Sequence, residues 1–354
     1  MDFIKTNGSG GMVLNGSVAQ RLGATGFSAH ALRPYIGTDG KPYVTQVVNG
    51  ELKAVPFIGN ATLKKDEWKT LDQALLEARQ RRMVGISDLE SRGLVYNIPN
   101  GMGTTVLEWE DISDMNDAEV NMDGQNRAQN DRVEYDLSYL PLPITHKDFT
   151  IGARVLESSR TRGLPLDTTQ VQLSALKVAE KLESYLFIGS GSYTYGGGTI
   201  YGYMTHPDRN TGSLTAHWDD SAATGETMLD DIRAMKQALI SARFYGPYGV
   251  YVPTNFETAL DGDFKAGSDK SIRQRLLEVG GIEFIKVSDF LTADNVIMVQ
   301  LTSDVVRIVN AMEMTTVEWD QQGGMILNYK VMAIKVPNLR SDQNDRCGVA
   351  HYTL

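Results

Sequence analysis

Apolar residues recur at helical spacing in two long stretches of this chain. The first stripe, which includes Trp68 and Leu71, predicts an amphipathic helix over about 64–82, because charged residues occupy the opposite face. The second and more regular stripe begins at Val171 and predicts a helix over 168–187. At the usual rise per residue this helix is about 30 Å long, enough to support a domain.

Alternation of apolar and polar residues predicts strands elsewhere. It marks residues 106–110 and 132–137, and the polar residues between them make the two strands a long projecting hairpin. A shorter hairpin is predicted over 44–57, where Asn49-Gly50 forms a favoured two-residue turn between two strand-like runs.

From about residue 226 helices and strands alternate, which is the pattern of an α/β unit. Helices are predicted at 228–242, 255–261 and 270–279, and strands at 250–252, 283–287, 295–300 and 304–309. The end of the chain returns to strands, predicted at 313–319, 325–336 and 347–353.

Composition and charge argue against several classes of protein. The 354 residues are 42% hydrophobic and 22% charged, values typical of a globular protein with a sizeable core. A net charge of −10 argues against a protein that grips DNA by neutralising phosphates, although residues 1–61 carry ten glycines and a charge of +2. No apolar stretch approaches the ~18 residues of a membrane span, and no signal-peptide pattern opens the sequence, so we expect neither.

We expect no catalytic, metal or cofactor site from the sequence. The five histidines lack metal-binding spacing, and His217 beside Asp219 and Asp220 is interpreted as a lone imidazole in a surface loop. The glycine-rich run 189–198 follows a helix, so its N–H groups do not converge on a phosphate. The single cysteine, Cys347, lies in an alternating strand and is expected to be a small buried side chain. These features favour a protein that is not an enzyme.

The long hairpin at 101–136 is strongly acidic, and two interpretations stay open. One is a solvated loop, because runs of charge are common on exposed loops. The other is an arm that docks on a basic surface of another subunit, which its large apolar residues favour because they gain nothing from exposure to water. The residues assigned to this contact are Trp109, Glu110, Asp111, Asp114, Met115, Glu119, Met122, Asp123, Arg127 and Arg132.

Four segments carry a resemblance to a known family. They are Leu140-Pro141-Leu142-Pro143-Ile144 with Lys147-Asp148-Phe149, the run Arg162-Gly163-Leu164-Pro165-Leu166-Asp167, the stretch from Val178 to Gly189, and the stretch from Tyr245 to Asn255. Over residues 64–354 the sequence is similar to the encapsulins of linocin type. These belong to the Hong Kong 97-type shell fold, which tailed-phage major capsid proteins share.

The resemblance implies an α+β Hong Kong 97-type fold with a definite division of the chain. It comprises an N-terminal arm at 1–61, an N-terminal helix and the start of a peripheral domain at 62–100, an extended loop at 101–136, a peripheral domain at 137–220 with a spine helix at 168–187, an inserted α/β axial domain at 221–309, and peripheral return strands at 310–354. The residues implied to lie near a five- or six-fold axis are Asp261, Gly262, Lys265, Gly267 and Ser268. The basic arm residues that could face DNA or a neighbour are Lys5, Arg21 and Arg33.

The resemblance therefore implies the major capsid protein of a tailed double-stranded DNA bacteriophage, located in the virion after assembly in the host bacterial cytoplasm. Its partners would be copies of itself as pentamers and hexamers, together with portal, scaffold or decoration proteins. Contact with packaged DNA would be non-specific at most, and no membrane is involved. An encapsulin-type compartment with an enzyme cargo is the alternative, and a soluble α/β enzyme with an acidic lid is disfavoured by the missing catalytic residues.

Overall fold

The computed structural model describes most of the chain and leaves several segments outside the description. The described residues are 33–48, 51–56, 63–82, 84–112, 120, 122, 135–162, 168–220, 223–265, 269–319, 326–342 and 344–354.

The described residues form both helices and strands, as the α+β expectation requires. The helices are α1 (Lys65–Arg82), α2 (Val84–Ser91), α3 (Ala153–Arg162), α4 (Thr169–Phe187), α5 (Gly225–Ser241), α6 (Glu257–Leu260) and α7 (Ile272–Leu277), with a 3-10 turn at Thr254–Phe256. The strands are β1 (Tyr35–Ile36), β2 (Pro42–Val48), β3 (Glu51–Pro56), β4 (Val95–Asn97), β5 (Val106–Ile112), β6 (Tyr135–Pro141), β7 (Thr145–Gly152), β8 (Gly189–Tyr195), β9 (Gly198–Tyr201), β10 (Asn210–Ser213), β11 (Tyr248–Pro253), β12 (Ile282–Ser288), β13 (Asn295–Gln300), β14 (Val306–Trp319), β15 (Ile326–Leu339) and β16 (Val349–Thr353).

Two helices predicted from apolar stripes, α1 and α4, lie where expected. The stripe of α4 is fully buried, because the helix packs across a four-stranded sheet of order β4-β14-β15-β7. The ring of Trp68 joins α1 to this sheet, because it meets the ring of Tyr329 edge-on, and within the sheet Phe149 stacks on the same Tyr329 ring at 5.2 Å. We call this unit the main body.

A second unit contains a five-stranded sheet of order β10-β16-β13-β11-β12, in which β13 runs antiparallel to the other strands. Helices α5 and α7 cover it and bury a separate apolar cluster that includes Met235 and Leu276. We call it the α/β unit.

The pairing of β16 differs from the division expected from the sequence. Residues 310–354 were expected to return together to the peripheral domain, yet β16 pairs with β13 and β10 in the α/β unit, while β14 and β15 pair in the main body. Alternation specifies a strand and its buried face, but its pairing partner depends on contacts distant in sequence. Helix α2 was not predicted either, because its eight residues are too few for a clear apolar stripe.

The predicted short hairpin is present, and it is part of the folded body. Strands β2 and β3 pair with Val48 opposite Glu51, the register of a two-residue connection, and β1 extends the sheet. The indole N–H of Trp68 donates to the Pro34 carbonyl at 3.0 Å, which ties the preceding segment to α1. Residues 33–48 and 51–56 of the expected arm are therefore held on α1 of the same subunit, while residues 1–32 lie outside the described part of the chain.

None of the helices in the described ranges combines the length and apolar character needed to span a bilayer.

Candidate assembly surface

The long hairpin predicted from alternation is built by β5 and β6, which pair antiparallel along their whole length. Residues directly opposite in such a pair place their side chains on the same face. Trp109 lies opposite Ser138, whereas Glu110 lies opposite Leu137, so the ribbon has two chemically different faces.

One face of the hairpin packs against its own chain. Trp109 and Leu107 are half-buried against the main body, and Leu140 is fully buried there. A cavity of about 300 Å³ lies beside this contact, with Trp109, Tyr201 and His206 among its lining residues. Burial lowers the pKa of His206, so the imidazole is neutral at physiological pH. Part of the Trp109 surface expected to meet a neighbour is thus already covered within the subunit.

The opposite face is exposed, and it combines acidic and apolar side chains. Its exposed part consists of Glu108, Glu110, Tyr135 and Leu137, which we call the hairpin face, whereas Val106, Tyr139 and Pro141 on the same side are half-buried or buried at the root of the ribbon. Tyr135 is 64% exposed and Leu137 is 49% exposed. The acids could be found from the sequence, whereas these two apolar residues were missed, because alternation predicts the strands but not the register in which they pair.

A second hairpin, β8–β9, supports the root of the first. Gly189, at a φ of +78°, ends α4 and turns the chain into β8. Gly198 permits a close approach to β6, because a Cβ at this position would lie 2.3 Å from the Tyr139 carbonyl oxygen. The glycine-rich run 189–198 is therefore part of a strand pair, and β8 carries the exposed rings of Tyr193 and Tyr195.

The remaining residues assigned to the hairpin contact are only partly described. Met122 is fully exposed, and the backbone of Asp111 lies in β5. Asp114, Met115, Glu119, Asp123, Arg127 and Arg132 lie outside the described residues.

The expected axial loop contains ion pairs within the subunit. Asp261 pairs with Arg273 at 3.0 Å, and Lys265 pairs with Glu226. Gly262 accepts a backbone hydrogen bond from Ile272, which closes the loop on α7. Gly267 and Ser268 are outside the described residues.

Of the three basic arm residues, only Arg33 is described. Its guanidinium pairs with Asp72 at 2.6 Å and stacks 4.4 Å above the Trp68 ring centroid. This cation therefore holds the start of the described chain on α1. Lys5 and Arg21 lie outside the described residues.

The single thiol has no nucleophilic character. Cys347 is buried as expected, and burial raises the pKa of its thiol to about 12, so it stays protonated at neutral pH.

Comparison with known proteins places this architecture among shell proteins. A model described as a family of unknown function (DUF6260) matches residues 58–351. The type 1 encapsulin shell protein EncA of Myxococcus xanthus is 24% identical over 197 residues, which cover 55% of this chain and 63% of EncA. The chain thus matches less than two thirds of that relative's length.

Solved structures show the same fold at low identity. The virus-like particle from Pyrococcus furiosus superposes with a TM-score of 0.59 at 17% identity, over 80% of this chain and 98% of that one. The capsid of Myoviridae phage XM1 gives 0.59 at 10% identity, over 74% and 90%. The capsid of an empty GTA particle gives 0.52 at 12% identity, over 75% and 89%. The expected Hong Kong 97-type shell fold is confirmed.

Proposed function

This chain belongs to DUF6260, a family of unknown function, and we propose that it is a self-assembling shell protein whose copies form a closed icosahedral container. A fold alone does not determine a function, so the proposal needs support from a surface. That support is the hairpin face, where Tyr135 and Leu137 are exposed on a projecting ribbon. Burial of each of these side chains against a neighbouring subunit would stabilise the contact by roughly 1.5–3 kcal/mol.

The hairpin face suits contact with a second copy for a further reason. Glu108 and Glu110 flank its apolar residues, so a partner surface with basic groups would satisfy the charges while it covers the apolar area. An apolar centre with a charged margin is the usual anatomy of a protein interface. The subunit would then repeat this contact around each five-fold and six-fold ring.

Within this role we propose the major capsid protein of a tailed double-stranded DNA bacteriophage, which encloses the genome in the virion. The capsid of phage XM1 has the same fold, and a chain with a net charge of −10 provides a wall that does not bind packaged DNA strongly. Assembly would take place in the bacterial host, with portal, scaffold or decoration proteins as further partners.

An encapsulin-type compartment is the second candidate, and a specific observation favours it. The sequence itself matches the encapsulin shell protein EncA, with 24% identity over 197 residues. The shell would then enclose protein cargo instead of DNA.

Electron microscopy of the purified full-length protein tests the shell proposal. Closed particles are expected from the wild type, and a soluble monomer with no particles under any assembly condition would contradict it. The two candidates are separated by the contents of particles isolated from the native source. Nuclease-protected double-stranded DNA supports the capsid, whereas a co-purifying protein cargo without DNA supports the compartment.

A further inference from the structure

One edge of the five-stranded sheet collects polar side chains from three separate segments. Strands β10 and β11 run parallel and end at this edge, while β13, antiparallel to β11, begins there. His217 and Asp219 follow β10, Asn255 follows β11, and Asp294 directly precedes β13. The carboxyl edge of parallel strands is where α/β sheets commonly bind ligands.

The side chains at this edge converge on one point. His217 Nδ1 lies 3.1 Å from Asp294 Oδ1, and one ligand atom from each of His217, Asp219 and Asp294 lies within 4.8 Å of the others. The Asn255 amide donates to Asp219 Oδ2 and to Asp294 Oδ1, both at 3.2 Å. Asn255 therefore acts as a positioning residue that keeps the two carboxylates facing each other.

We propose that His217, Asp219 and Asp294 bind a divalent transition-metal ion, for which Zn²⁺ is the best match. One imidazole nitrogen with two carboxylate oxygens is a donor set that Zn²⁺ accepts, with water in the fourth position. A tetrahedral zinc ion with bonds of about 2.0–2.2 Å separates its ligand atoms by about 3.3 Å. Binding would require side-chain rotations that bring the ligand atoms from within 4.8 Å of one another to that spacing, and His217 and Asp219 are exposed and so have room to rotate.

The sequence analysis missed this site because its third ligand is distant in the chain. Their loop supplies two of the three ligands, His217 and Asp219, and Asp294 joins them only through the pairing of β13 with β11 and β16. A bound ion would connect the segment after β10 to the start of β13. We therefore expect Zn²⁺ to raise the unfolding temperature of the α/β unit.

Titration calorimetry with ZnCl₂ on the chelator-treated full-length protein tests the site. We expect one zinc ion per chain, and affinity lower by about tenfold or more in Asp294→Asn and in His217→Gln. The matched control is Asp148→Asn, since Asp148 lies 3.6 Å from His146 on the exposed face of β7 and belongs to no such cluster among the described residues. It should bind zinc as the wild type does.

Cobalt substitution gives a second readout that does not depend on stability. Co²⁺ at a tetrahedral nitrogen–oxygen site produces visible absorption bands, which should be present in the wild type and in Asp148→Asn and absent in Asp294→Asn. Circular dichroism without metal confirms that each variant is folded. The proposal is overturned if the wild type binds no zinc, or if Asp294→Asn and His217→Gln bind it as tightly as the wild type. Neither result bears on whether the protein forms shells.

Discussion

Glu183 is a carboxylate buried within the main body, where it caps a helix. It lies on α4 and accepts the backbone N–H groups of Gly85 at 2.6 Å and Ile86 at 3.3 Å, both in the first turn of α2. Burial raises the pKa of Glu183 to about 7, although these hydrogen bonds favour the ionised form. The folded state therefore binds this proton more tightly than the unfolded state does.

We predict that the free energy of unfolding falls as the pH rises from about 4.5 to about 7, by on the order of 3 kcal/mol. A carboxyl with a raised pKa stabilises the fold below its unfolded pKa, and that contribution is lost as the group ionises in the folded state. Glu183→Gln should lose most of this pH dependence in urea unfolding at the two pH values. Glu180→Gln, on the same helix with its partner Lys177 at the surface, should keep it. An unchanged slope in Glu183→Gln would contradict the prediction.

The contribution of His351 to the free energy of unfolding changes with pH in the opposite direction. Its Nδ1 accepts from the Arg209 guanidinium at 3.2 Å, while its Nε2 lies 2.6 Å from the side-chain oxygen of Asn295. Burial, together with the charge of Arg209, lowers the pKa of His351 to about 4. The folded state therefore favours the neutral imidazole over the protonated one. The free energy of unfolding should fall as the pH falls from about 6.5 to about 4.

Replacing His351 tests this second response. In His351→Gln, a neutral side chain that still accepts from Arg209, the loss of stability over that acidic range should be smaller than in the wild type. Thermal unfolding at several pH values measures it. An equally steep acidic loss in the variant would show that other groups cause it. Neither Glu183 nor His351 could be singled out from the sequence, because their burial depends on segments far away in the chain.

At the scale of elements, the contact between the two hairpins depends on one glycine. A Cβ on Gly198 would lie 2.3 Å from the Tyr139 carbonyl oxygen. This oxygen belongs to the backbone of β6, which cannot move away without disturbing the β5–β6 ribbon. Gly198→Ala should therefore lower the free energy of unfolding by about 1–3 kcal/mol. Gly191→Ala is the matched control, because a Cβ there meets no atom within 4 Å. Equal stability of the two variants in urea unfolding would disprove this close packing.

Some helices and strands could be predicted from the local pattern of apolar residues, and others could not. Helix α4 and the β5–β6 hairpin were predicted because their apolar residues have a clear period and the elements are long. The assignment of β16 to the α/β unit was not predicted, because its alternation is compatible with either sheet. The hairpin face was predicted in half, through Glu110, while the exposed Leu137 became apparent only from the strand register.

At the scale of the whole molecule, the boundary between arm and body can be tested by truncation. Residues 33–56 are attached to α1 through Pro34 and Arg33, which cover the ring of Trp68. Deletion of residues 1–32 leaves this contact in place, and the unfolding temperature of that variant serves as the reference. Deletion of 1–61 should give a lower unfolding temperature, because the Trp68 ring loses its cover, a loss of roughly 1.5–3 kcal/mol. Equal unfolding temperatures for both truncations would mean that this segment contributes nothing to the fold.

The apolar and the acidic residues of the hairpin face should affect assembly in different ways. Leu137→Ser removes an apolar contact of roughly 1.5–3 kcal/mol at each interface, whereas an exposed ion pair of Glu108 or Glu110 contributes only ~0–1 kcal/mol. Because the contact recurs in every subunit of a closed shell, Leu137→Ser should reduce the yield of particles at all salt concentrations. The double variant Glu108→Gln with Glu110→Gln should reduce it mainly at low ionic strength, since the Debye length is ~8 Å at about 0.15 M.

Light scattering and electron microscopy at two ionic strengths measure both effects. Val155→Ser is the matched control, because Val155 is an apolar residue on α3 that is 59% exposed and lies outside the hairpin face. If Leu137→Ser assembles as well as Val155→Ser, the hairpin face is not an interface between subunits. Trp109→Ala should instead lower the stability of the free subunit as well as assembly, because Trp109 packs on its own main body. We therefore expect Leu137→Ser to affect assembly alone and Trp109→Ala to affect the stability of the free subunit as well.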